Sequence, residues 1–109
     1  MNLAEQLLTA AGLEKNRTFK EVRFLKVPKT TFAVWLDSQE ADGADYEDFY
    51  IRHYYTIELY AYDTDRSIEG ALEIAMQACG IKYDKSEKMW LPDEQFYMTR
   101  YAFEDVRKL

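Results

Sequence analysis

The run FYIRHYYTIELYAY, residues 49–62, alternates with hardly a break. Alternation of period two is the mark of a strand, because successive side chains of an extended chain point to opposite faces. The odd positions, Phe49, Ile51, His53, Tyr55, Ile57, Leu59 and Ala61, form an oily face that belongs against a core. The even positions are Tyr50, Arg52, Tyr54, Thr56, Glu58, Tyr60 and Tyr62, where a plain surface strand carries Lys, Glu and Thr. Exposed cross-strand tyrosines contribute about 0.2–1 kcal/mol per pair, which accounts for two of these rings and not for all four. Four rings beside Arg52 have the Tyr and Arg composition of a binding surface, so Tyr50, Arg52, Tyr54, Tyr60 and Tyr62 are the candidate subunit interface.

The flanking segments limit what this strand can pair with. Asn2 followed by Glu5 reads as a capping box, Leu3, Leu7, Leu8 and Ala11 share a helical stripe, and Gly12 ends the helix. Residues 18–27 and TTFAVWLD (30–37) read as two strands with a turn at Pro28 and Lys29. In DTDRSIEGALEIAMQACG, Ile68, Ala71, Leu72, Ala75, Met76 and Cys79 recur with helical spacing, Asp63, Asp65 or Ser67 can cap the start, and Gly80 can end it. IKYDKSEKMWL, a turn at Pro92 and Asp93, and QFYMTRYAFEDV read as a closing hairpin. The expected fold is α+β, a single domain over 1–109 in the order α-β-β-β-α-β-β. The sheet is mainly antiparallel, with two helices packed on one face.

The net charge of −6 is concentrated in one place. DSQEADGADYED (37–48) holds Asp37, Glu40, Asp42, Asp45, Glu47 and Asp48 with no cation, and reads as a long, solvated hairpin loop. Three roles are open to it: lining a channel through which DNA passes, meeting a partner, or collecting a divalent cation weakly. Residues 15–29 are the opposite, with Lys15, Arg17, Lys20, Arg23, Lys26 and Lys29 against Glu21 alone.

A search for reactive groups returns little. His53 falls on the core-facing side of its strand, where a satisfied histidine is the expected role. Cys79 sits on the apolar stripe of the second helix and reads as a small core residue. One histidine and one cysteine do not make a zinc site, DGADYED lacks calcium-loop spacing, and the four glycines stand apart from one another. No catalytic residue, cofactor site or metal site is assigned, and an enzyme is not expected. A sequence pI of about 4.8 argues against a nucleic-acid groove. A single cysteine, no long apolar run and no signal-peptide order lead to the expectation of a soluble cytoplasmic product without a membrane partner.

The order of elements, with FAVWLD, a long loop, YEDFYIRHYYTIELYAYD, IEGALEIAMQACGI and the closing MTRYAFEDV, resembles the small tail-terminator and tail-completion proteins of long-tailed bacteriophages and prophages. The resemblance covers nearly the whole chain but rests on architecture, since these head-tail joining proteins share no short motif. It implies a structural virion protein, assembled in the host cytoplasm into a ring, usually of six. Such a ring caps the tail tube protein, stops its polymerisation and docks to the head connector protein. The competing reading is an acidic inhibitor or immunity protein that mimics nucleic acid and occupies a basic enzyme.

Overall fold

A computed structural model describes residues 2–42, 50–63 and 66–108. Asn2 caps the first helix as the sequence predicts: its Oδ1 accepts from the Glu5 backbone N–H at 2.9 Å, and α1 runs Leu3–Ala10. The Glu5 carboxylate does not return to complete the box, and pairs with Lys15 Nζ at 3.1 Å. Gly12 follows with φ +100°, the left-handed conformation that closes a helix. The second helix, α2, spans Ser67–Ala78 and stops in the same way at Gly80.

Six strands make one sheet: β1 (Phe19–Glu21), β2 (Phe32–Asp42), β3 (Tyr50–Ala61), β4 (Tyr83–Lys85), β5 (Met89–Leu91) and β6 (Phe96–Lys108). The order is β1-β2-β3-β6-β4, with β5 also on β6, and every pairing except β1–β2 is antiparallel. The fold is α+β, with one short strand more than expected. Ala4, Leu7 and Leu8 of α1 and Leu72 and Met76 of α2 pack on Ala33, Trp35, Tyr55, Ile57, Leu59, Tyr101 and Phe103, which share one sheet face. Both helices therefore lie on that face. Each fully buried Leu or Ile there contributes about 1.5–3 kcal/mol.

Three expectations need correction. Residues 18–27 are not one strand running to the turn at Pro28, because Val22 turns the chain out of β1 with φ +70°. Its N–H donates to Trp35 O at 2.9 Å, and the chain crosses to the reverse face as a strap before β2 starts in the same direction as β1. The expected loop 37–48 is strand as far as Asp42, held by pairing with β3 down to Tyr50, while Asp45, Glu47 and Asp48 lie outside the described residues. The segment 81–91 is two three-residue strands. Lys85 opposes Tyr101 and Met89 opposes Met98, so β4–β5 carries one residue too many, a bulge bridged by Ser86 Oγ, which accepts from Arg100 N–H.

The three long strands extend beyond the helices, and the molecule measures 51 × 29 × 23 Å. Among the described residues, no helix-packed core residue lies beyond Trp35 on β2, Tyr55 on β3 or Phe103 on β6. Among the described residues, the outer edges of β2 past Trp35 and of β6 past Phe103 have no strand beside them. The result is a three-stranded arm.

Val22 gives a direct check on the strap. A β-branched residue held at positive φ costs about 1–3 kcal/mol, and glycine relieves it at about 0.5–1 kcal/mol of backbone entropy. Val22→Gly is expected to melt at or above the parent temperature by circular dichroism. A fall of several degrees would mean that Val22 is not in this conformation.

Candidate interaction surface

The reverse face of the sheet starts as alternate residues and ends as an aromatic cluster. Phe32 of β2 stacks on Tyr60 of β3, with ring centres 4.8 Å apart and planes at 15°, and Phe96 of β6 meets both at 5.7 and 5.0 Å. The strap covers one side: Phe24 stands edge-on to Phe32 at 5.7 Å, and Tyr62 Oη donates to Pro28 O at 2.6 Å. Phe32, Val34, Phe96 and Met98 are buried there, so this end of the sheet has a second small core. Burial, and then the neighbouring Glu58 carboxylate, push the Tyr60 hydroxyl up to about 12. Glu58 itself pairs with Arg100 at 3.0 Å. Between the strap and the β5–β6 turn lies a groove of about 230 Å³.

The candidate interface residues thus divide. Tyr60 is half-buried in its own chain and Tyr62 remains 39% exposed, both at the strap end. Arg52 and Tyr54 are half-buried on the arm, and Tyr50 begins β3, its backbone opposite Asp42 and Lys108. Asp37 does not point from a solvated loop. It lies on the helix side of the sheet, where its Oδ2 accepts from His53 Nδ1 at 2.8 Å and from Gln39 Nε2 at 3.2 Å. Glu40 and Asp42 continue β2 toward the arm end. His53 also stacks on Tyr55, ring centres 5.4 Å apart, which is the satisfied role the sequence predicts.

Set against known proteins, the chain matches no family model and no curated protein.

A polar cluster between α2 and the sheet is absent from the sequence reading. Glu73 Oε2 accepts from Lys85 Nζ at 2.8 Å and from Tyr101 Oη at 2.9 Å, and Glu73 Oε1 accepts from Tyr83 Oη at 3.3 Å. Glu69, buried one turn earlier, has Lys88, Lys85 and Arg66 within 3.6–3.8 Å. The bulge explains why both lysines face α2, since the extra residue turns Lys88 to the same side as Lys85. Burial raises the Glu73 carboxyl, but hydrogen bonds from Lys85 and Tyr101 outweigh it and hold it below its ordinary value. The same Lys85 bond to Glu73 raises the lysine, while burial and then Glu73 push the Tyr101 hydroxyl upward. The one available signal was the Glu69, Glu73 spacing, two acids one turn apart that repel unless cations meet them.

Cys79 is corrected: it is exposed, one residue past the end of α2. Among the described residues, no three of His, Cys, Asp and Glu gather as metal ligands, and no helix is long and apolar enough to cross a membrane. The candidate site is a surface of aromatic rings bordered by the Glu58–Arg100 pair.

Two measurements test this geometry. Tyr60→Ala is expected to cost about 2 kcal/mol in urea unfolding of the monomer because its stacking partners lose contact, and Tyr60→Phe under about 1 kcal/mol. Equal costs for the two would contradict the stacking. For Glu73, a carboxyl depressed in the fold contributes stability above its unfolded pKa, and that contribution is lost as pH falls through the folded value. Glu73→Gln is expected to lower stability at pH 7 by about 1–3 kcal/mol, with the gap to the parent narrowing as pH falls through the folded value of Glu73. A gap that does not narrow on acidification would contradict the assignment.

Proposed function

We propose that the protein is a structural subunit that closes into a homo-oligomeric ring, of the kind that completes a phage tail and docks to the head. The observation that carries this reading is the three-stranded arm, whose outer edges have no neighbouring strand among the described residues. An open strand edge offers a row of unpaired backbone groups, and proteins cover such edges or use them to join copies. Head-to-tail contacts between unlike patches of identical subunits generate rings. The half-buried Arg52 and Tyr54 on the arm supply side chains for such a contact.

The acidic-inhibitor reading gains less support. A phosphate mimic presents free carboxylates, whereas Glu5, Glu14, Glu58, Glu69 and Glu73 are each paired with a Lys or Arg of the same chain. Asp37 is paired with His53.

Light scattering on the purified chain, alone and mixed with its tail tube protein, tests the ring. The expected result is a closed oligomer of defined mass in at least one condition, with six subunits the number implied by the resemblance. A monomer in both conditions would refute it, and tight binding to a basic nuclease instead would replace it with the inhibitor reading.

A further inference from the structure

The strap at one end of the molecule is cationic, and the sequence that joins β2 to β3 at the other is rich in acids. Lys15, Arg17, Arg66, Lys85, Lys88 and Arg100 all have a carboxylate within 4 Å. Arg23, Lys26 and Lys29 on the strap have none among the described residues, and all three are exposed. Beside them stand apolar side chains turned to solvent: Leu25 is 85% exposed, Val22 55% and Val27 48%. A strap this apolar and this cationic, its backbone strained at Val22, borders the aromatic groove. Strained positive-φ residues collect where a surface has a task beyond folding.

At the far end, the sequence 42–49, DGADYEDF, combines four acids with two rings: Asp42, Asp45, Glu47 and Asp48 with Tyr46 and Phe49. This composition is the complement of the groove. It cannot reach the groove of its own chain. From the Val34–Glu58 pair at the groove to the Asp42–Tyr50 pair is eight residues of strand, about 26 Å. The seven residues from Gly43 to Phe49, tied at both ends, reach at most about 13 Å back.

We infer that the groove receives the acidic, aromatic tip of a second copy. Arg23, Lys26 and Lys29 meet Asp45, Glu47 and Asp48 of the incoming tip, and Phe32, Tyr60 and Phe96 form the floor for its rings. Arg100 already neutralises Glu58 in that floor, while Glu94 of the β5–β6 turn is the one other carboxylate lining the groove and turns acid away from its own side. The inference rests on the oligomer reading above and assigns the two patches that join.

Charge exchange tests it. One full-length variant carries Arg23→Glu, Lys26→Glu and Lys29→Glu, and the other carries Asp45→Lys, Glu47→Lys and Asp48→Lys. Each alone juxtaposes like charges, and is expected to weaken self-association about a hundredfold or more by sedimentation, while an equimolar mixture restores it because every tip then meets an opposite groove. The circular dichroism melt of each variant, unchanged from the parent, shows that folding is intact. If either variant associates as the parent does, or the mixture stays apart, the assignment of these patches is overturned and the ring itself stands. If the parent stays monomeric alone and with its tube protein, the ring and the assignment fall together.

Discussion

The pairing of β3 on both edges in one unbroken register governs everything else in this structure. β3 meets β2 from Tyr50–Asp42 to Tyr60–Phe32 and β6 from Tyr50–Lys108 to Ala61–Tyr97. A slip of one residue would carry Tyr55, Ile57 and Leu59 away from the helices and place Glu58 and Tyr60 beneath α2. A central strand also has two faces to cover, and two helices cover only one. Phe24 of the strap covers part of the other, over Phe32 and Phe96 of the sheet itself. This requirement accounts for much of the aromatic surplus of the chain.

On the helix side, apolar packing and buried charge act together. Tyr101 is fully buried beneath α2, and its hydroxyl finds Glu73 rather than being left without a partner. The cluster contributes less than its number of contacts suggests, because each charge loses hydration before it gains a partner. Its stronger effect is on breakage. Removing one member leaves others buried and unmatched, so α2 has one favourable seat on the sheet, fixed by Lys85 and Lys88 from either side of the bulge.

Local patterns were legible in the sequence and long-range ones were not. The alternation of 50–61, the stripe Leu72 and Met76, the Asn2 cap and the Pro92 turn each declare themselves within a few residues. The acidic run misled because charge density reads as a loop, yet β3 supplies backbone partners as far as Asp42, and His53 hydrogen-bonds Asp37 from sixteen residues away. Residues 18–27 misled because β-branched and aromatic composition does not reveal that Val22 reverses the chain. Cys79 keeps the period of its stripe but comes one residue after the helix has stopped. The surface followed the same rule. Its tyrosines were visible in sequence, whereas the partition between rings covered by the strap and rings left on the arm depends on contacts that no local window contains.

The length of the arm has an electrical meaning. The exposed Arg23, Lys26 and Lys29 of the strap stand at one end of a body 51 Å long, and the acid-rich sequence that joins β2 to β3 belongs to the other. In the association proposed above, the fields of such separated charges turn approaching copies before they touch, with the cationic strap of one toward the acidic sequence of the next. At physiological salt this guidance reaches only about 8–10 Å, so it acts in the last moments of an encounter. In the proposed assembly, orientation is then decided before any backbone edge or aromatic ring comes into range.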